Sequence, residues 1–174
     1  MRHGVRVGVD VGKARIGLAR SDSHGMLATP VETVSRDHSG TLDVARIMAV
    51  VADLDAVEVV VGLPLALSGN RTASTDDAVG FAELLARALS IPVRLVDERL
   101  STVAAQSVLR AAGRKAKTHK PVVDQVAAVI ILQHALDTER SLGAPAGTAV
   151  EPGPDQLPAA LPPTAARNEG QPPR

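Results

Sequence analysis

Strand-like and helix-like patterns of apolar residues take turns along this chain. Residues 5–11, Val-Arg-Val-Gly-Val-Asp-Val, form a β-rich run, and residues 15–20 a second, joined by Gly12-Lys13-Ala14. Residues 28–34 read as a third strand, with Pro30 marking an edge or a strand start. Leu42, Ala45, Ile47, Met48, Val51, Ala52 and Leu54 fall close to helical spacing over residues 42–54. Residues 57–61 are unbroken apolar sequence, the mark of a strand covered on both faces. A loop from Gly62-Leu63-Pro64 to Asn70 follows, then a helix over residues 72–89 whose buried stripe is Ala78, Phe81, Ala82, Leu85 and Leu89. Ile91-Pro92 breaks it, and residues 93–96 return to strand. Ser101 or Thr102 caps a helix to about residue 112, with Gly113 at its end. A last helix runs from residue 122 to about 139.

Three strands, then helix, strand, helix, strand, helix, helix, predict an α/β fold. Its sheet is mixed and five-stranded, an antiparallel meander followed by parallel strands, flanked by helices. Residues 143–174 hold eight of the twelve prolines and show no apolar periodicity. They predict a disordered tail over residues 141–174 after a folded domain over residues 1–140.

In such a sheet the functional crevice lies beyond the carboxyl ends of the parallel strands. Asp10, Gly62 and the pair Asp97-Glu98 stand at that edge. An ionised carboxylate set into apolar sequence costs several kcal/mol unless it pairs with a cation or binds metal. Asp10 near the end of its strand fits a site better than a turn cap, because apolar residues precede it directly. Asp97 and Glu98 face opposite sides of a strand, so one of them would enter a shared site. The longer reach of Glu98 favours it, with Asp97 holding loop amides or a base, although spacing alone leaves both open. Asp124 lies near the start of the last helix, over a face of Ala127, Ala128, Ile131 and Ala135 that suits close packing on a sheet. The competing reading is an acid favoured by the helix dipole. Two strand ends and a helix start would gather three carboxylates, as in divalent-metal sites for phosphate chemistry.

Charge narrows the picture only locally. Nineteen basic and nineteen acidic residues cancel, but Arg110, Arg114, Lys115, Lys117 and Lys120 cluster without an acid among them. Such a cluster neutralises phosphates or forms a solvated helix end. His119 within it is more often solvated than catalytic. Phe81 is the one aromatic side chain of the Phe, Tyr and Trp class, so base stacking on aromatic platforms is excluded as a recognition mode. No cysteine is present, which excludes disulfides and thiolate metal sites. No apolar stretch reaches the ~18 residues of a membrane span, so a cytoplasmic protein with no membrane partner is expected.

Taken together, these pieces resemble the YqgF family, also called RuvX. The matching segments are Gly8-Val9-Asp10-Val11-Gly12 with Arg15-Ile16-Gly17-Leu18-Ala19, then Val59-Val60-Val61-Gly62-Leu63-Pro64-Leu65. Val96-Asp97-Glu98-Arg99-Leu100-Ser101-Thr102 through Ala105 follows, and lastly Asp124 with Ala127-Ala128 and Ile131-Leu132-Gln133. The resemblance spans residues 5–138. It implies a ribonuclease H-like fold, shared with the junction resolvase RuvC, and a nuclease maturing the 5′ end of the 16S ribosomal RNA precursor. It also implies that Asp10, Glu98 and Asp124 are the acidic metal-binding triad, and that Gly62, Leu63 and Pro64, with Gly12, form the loop beside it.

The expected chemistry is phosphodiester hydrolysis with one or two Mg²⁺ or Mn²⁺ ions, since oxygen-only ligand sets favour these metals. Lys13, Arg15, Arg99, Arg114, Lys115, Lys117 and Lys120 are the candidates for gripping substrate phosphates. Asp97 and His119 remain secondary candidates. RNA is the favoured partner, with structured or branched DNA as the alternative, and the chain would act as a monomer or homodimer. A four-way junction would call for two sites and hence a dimer. A non-catalytic nucleic-acid-binding module is a further alternative. An actin-like ATPase, suggested by Asp-x-Gly-x4-Gly, would need a second domain that the chain lacks the length to supply.

Overall fold

A computed structural model of the chain describes residues 2–100 and 120–152. Five strands fall on the runs read from the pattern: β1 (Val5–Val11), β2 (Arg15–Ser21), β3 (Ala28–Ser35), β4 (Ala56–Leu63) and β5 (Val93–Asp97). Helix α1 spans Leu42–Asp53, α2 spans Ala73–Ala88 and α3 spans Lys120–Leu142. Thr72 caps α2 in a reciprocal capping box with Thr75, which fixes its start. The helix expected from Ser101 or Thr102 lies outside the described residues.

β1 pairs antiparallel with β2 and parallel with β4, β2 pairs antiparallel with β3, and β4 pairs parallel with β5. β3 is an edge strand, and its register on β2 shifts where Pro30 faces Ala19. Pro30 has no N–H to give the ladder, which is why it is tolerated there.

Residues 141–150 depart from the expected tail. α3 continues to Leu142, and Thr148–Ala149 forms a sixth strand, β6, antiparallel to β5. The sheet therefore has six strands rather than five, in the order β3-β2-β1-β4-β5-β6. Arg94 fixes the returning chain by donating to the carbonyls of Ala146 (2.7 Å) and Gly147 (2.7 Å). The return covers part of the outer edge of β5, which would otherwise present unpaired backbone groups. A two-residue strand carries no periodicity, so the local proline-rich composition hid it. Residues 153–174 lie outside the described residues.

The sheet is covered on both faces. On one side Val7, Val9, Ile16, Leu18, Val59 and Val61 pack with Ile47, Phe81 and Leu85 of α1 and α2. On the other, Ala19, Val60 and Val96 pack with Ala128, Ile131, Leu132 and Ala135 of α3. The α3 face works through missing side chains. A Cβ on Gly8 would lie 2.7 Å from Leu132 Cβ, and one on Gly17 would collide with the backbone carbonyl of Asp124. A strand glycine normally costs stability; here it lets helix backbone rest on sheet backbone.

At the opposite end of the sheet, α3 is tied down by ions. Arg6, 1% exposed, donates to Glu139 at 3.2 Å, and Arg2 bridges Glu139 and Glu58 at 2.9 Å each. These contacts join β1, β4 and the end of α3. Glu139→Gln leaves Arg6 buried without its full counter-charge, so denaturant unfolding is expected to show a loss of about 3 kcal/mol. A change below about 0.5 kcal/mol would mean the network is not a strut. Gly17→Ala is expected to cost about 2 kcal/mol by the same measurement, since overpacking against backbone has no flexible group to yield. An unchanged unfolding midpoint would show that α3 can ride higher on the sheet.

Candidate active site

Alternation along the strands puts the site on the α3 face. Gly8 faces α3, so Asp10, two residues on, faces it too. Asp10 pairs across the ladder with Gly17, the residue on which the Asp124 carbonyl rests. That packing delivers Asp124 beside Asp10. Asp124 is five residues into α3, which starts at Lys120 rather than at residue 122, so it lies beyond the first turn. The helix-dipole explanation for an acid there falls away, because that effect fades within a turn.

Glu98 opens a single 3₁₀ turn, Glu98–Leu100, after β5. Its side chain lies over Gly62 of β4, where a Cβ would collide with Glu98 Oε1 and lie 2.6 Å from Ile131 Cδ1. Gly62 thus clears the path by which Glu98 reaches in from the neighbouring strand. A cavity of about 90 Å³ opens beside Glu98 toward Ile131 and His134. Asp97, which lines the same cavity, is engaged locally: its carboxylate accepts from the Arg99 backbone N–H (2.9 Å) and from the Arg99 guanidinium (2.6 Å).

Electrostatics bind the acids into one unit. Burial, and then the charge of Asp124, push Asp10 up to about 6 from the ordinary carboxylate range. Burial, then Asp10 and then Asp97, push Glu98 up to about 7. Each therefore holds negative charge at a cost that a cation would relieve. Asp97, with Arg99 beside it, is pulled the other way, below the usual range.

Asp124 already has a counter-ion. Arg15 Nε donates to Asp124 Oδ2 at 2.8 Å, with the two side chains 36% and 23% exposed. Among the described residues no group of three or more His, Asp or Glu side chains is gathered closely enough to hold a metal ion as it stands. The donor chemistry still suits a hard divalent cation: carboxylate oxygens, half-buried, with uncompensated charge on Asp10 and Glu98.

The expected phosphate-gripping residues are placed unequally. Lys13 is exposed at the β1–β2 turn, while Arg15 and Arg99 are each engaged by an acid. Arg114, Lys115, Lys117 and His119 lie outside the described residues, and Lys120 opens α3. The loop residues Gly62, Leu63 and Pro64 follow β4 past the site, Leu63 in register with Asp97. The Pro64 carbonyl accepts from the Thr75 hydroxyl, so α2 steadies that loop.

Arg36 was not visible as a site residue. Its guanidinium donates to the Gly12 carbonyl (2.9 Å) and to Asp77 (2.8 Å), and sits 5.1 Å from the Phe81 ring centre. It pins the turn that follows Asp10 to α2. Only its adjacency to the β3 end hinted at this, since a lone Arg after a strand normally reads as solvent-facing.

A family model described as "RuvX: Holliday junction resolvase" matches residues 4–138. A Clavibacter michiganensis protein named "Putative pre-16S rRNA nuclease" is 69% identical over 150 residues, covering 86% of this chain and 93% of that protein. A Nocardioides protein of the same name is 54% identical over 154 residues, covering 87% and 99%. Among solved structures, Thermus thermophilus RuvC in complex with a Holliday junction substrate matches with a TM-score of 0.56 at 19% identity, covering 82% of this chain and 99% of that one. The fold is thus that of RuvC.

The raised Asp10 gives a signed prediction for the metal-free protein. The folded state holds the Asp10 proton to about 6, the unfolded chain only to about 4, so stability falls as pH rises between them. Asp10→Asn removes that penalty. In chelator at pH 7.5 it is expected to gain about 1–2 kcal/mol over wild type by urea unfolding, with the gain vanishing near pH 4. A loss of stability that is equal at both pH values would contradict the mutual repulsion described.

Proposed function

The chain belongs to the RuvX family, and from that premise we propose that it is a divalent-metal-dependent nuclease. Its substrate is the 16S ribosomal RNA precursor, cut near the 5′ end. The observation that carries the chemistry is the pair of half-buried carboxylates, Asp10 and Glu98, raised by burial and by neighbouring negative charge. The relatives' printed name supports the RNA substrate.

Asp10, Glu98 and Asp124 would hold one or two Mg²⁺ or Mn²⁺ ions. Bound there, such ions would supply Lewis-acid activation of a water and charge stabilisation for the leaving oxygen. The chain itself supplies position and charge. β1 fixes Asp10 against Gly17, Gly62 lets Glu98 lean over β4, and Arg36 holds the turn at Gly12. Lys13, exposed at that turn, would steady the incoming phosphate backbone without reading sequence. Arg99 engages Asp97 through its backbone N–H and its forked guanidinium, which would leave Asp97 less ready for a cation than Glu98. The expected products carry a 5′-phosphate and a 3′-hydroxyl.

An RNA end presents one scissile strand and needs one active site, so a monomer suffices, whereas a symmetric junction would need two. A ribosomal RNA substrate implies the cytoplasm. Among the described residues no helix is long and apolar enough to cross a membrane.

The test is cleavage of end-labelled precursor RNA and of four-way DNA junctions with Mg²⁺ or Mn²⁺. RNA cutting is expected in wild type and at least about a hundredfold less in Asp10→Asn, the weight of the several kcal/mol that metal-borne charge stabilisation supplies. Preferential junction cutting would move the substrate to DNA. Equal cutting by both proteins would overturn the assignment of the site.

A further inference from the structure

Among the ion pairs near α3 or the site, those of Arg6, Arg36 and Arg15 differ in one respect. Arg6 is 1% exposed on Glu139, and Arg36 is 8% exposed between Asp43 and Asp77. Both are enclosed by several elements and act as struts. Arg15 reaches Asp124 across the mouth of the site through one 2.8 Å hydrogen bond, with both partners open to solvent. A pair so exposed is weak and readily exchanged.

Its position is equally specific. Arg15 begins β2, two residues before Gly17, and so faces α3 beside the residue that carries the Asp124 backbone. The Gly12 N–H donates to its carbonyl at 2.9 Å, which fixes its main chain independently of the side chain's ion pair. No other ion pair reaches Asp124 among the described residues.

We propose that Arg15 is an exchangeable counter-ion: it holds Asp124 in the metal-free protein, gives it up to the divalent cation, and then takes a substrate phosphate. This rests on the metal-site reading above. The released guanidinium suits the second role, since it stays charged and matches phosphate oxygens with paired donors. One residue thereby offsets part of the negative charge before the metal arrives, and adds a phosphate contact after it. Arg15 is a positioning residue in the first state and a binding residue in the second.

The experiment uses the full chain, stripped of metal. Mn²⁺ affinity is measured by calorimetry for wild type, Arg15→Gln, Arg15→Lys, Lys13→Gln and Asp10→Asn, and the Arg15 Nε–H resonance is followed during a Mg²⁺ titration. Arg15→Gln is expected to bind Mn²⁺ about threefold to fivefold tighter than wild type, the worth of an exposed pair. Arg15→Lys should stay near wild type, and Lys13→Gln, which removes a nearby charge that does not pair with Asp124, should shift less than Arg15→Gln. The Nε–H resonance should move to a free position at the midpoint of Mg²⁺ binding. The amide spectrum of Arg15→Gln reports that it is folded. Wild-type binding lost in Asp10→Asn, with Arg15→Gln no tighter and the resonance static at saturation, overturns the exchange and leaves the metal site standing. Binding absent from wild type and Arg15→Gln alike, or unaffected by Asp10→Asn, overturns the metal-site reading and the exchange with it.

Discussion

The close approach of the α3 backbone to the sheet governs everything else in this molecule. It is possible only because β1, β2 and β4 lack side chains at Gly8, Gly17 and Gly62, where a Cβ would meet α3 or Glu98. Without it, Asp124 would ride on a side-chain layer above the sheet, out of the range at which its charge raises Asp10. The helix is therefore the third wall of the site as well as a cover for Val60 and Val96. Close packing and charge crowding are two consequences of one contact.

The two ends of α3 divide the labour. At the sheet's far end Arg2, Arg6, Glu58 and Glu139 lock the helix through buried, multiply bonded charges. At the site end Asp10 and Glu98 are left short of counter-charge, and the pair on Asp124 is partly open to solvent. Strain tolerated at a working site is commonly offset by firm packing elsewhere. Here the rigid end gives the helix a fixed pivot, so that the repulsive end keeps its geometry.

Much of this was legible in the residues. The strands follow their apolar runs, and β4, read as covered on both faces, has Val59, Val60 and Val61 all at 2% exposure or less. The positions of Asp10 and Glu98 at the sheet edge follow from strand ends alone. What stayed hidden depends on contacts distant in sequence. Gly17 reads as a turn or ligand glycine until Asp124, 107 residues away by sequence number, is seen resting on it. Arg15 reads as a free phosphate grip, since no spacing rule reveals that Asp124 engages it first, whereas Asp97 holds a loop amide and a base, both from Arg99, as its position suggested. β6 escaped because two residues in proline-rich surroundings carry no pattern, while the open edge of β5 that recruits them exists only once the sheet is assembled.

On this proposal, three carboxylates from β1, the end of β5 and α3 form one cation site whose metal-free state is held by Arg15. The most direct measurement is a crystal structure of the Mn²⁺-soaked protein with anomalous scattering to locate the metal. The expected result is a peak on the Asp10 carboxylate shared with Glu98 or Asp124, with the Arg15 guanidinium gone from Asp124. A peak elsewhere, or none at saturating Mn²⁺ with Arg15 still on Asp124, would contradict it.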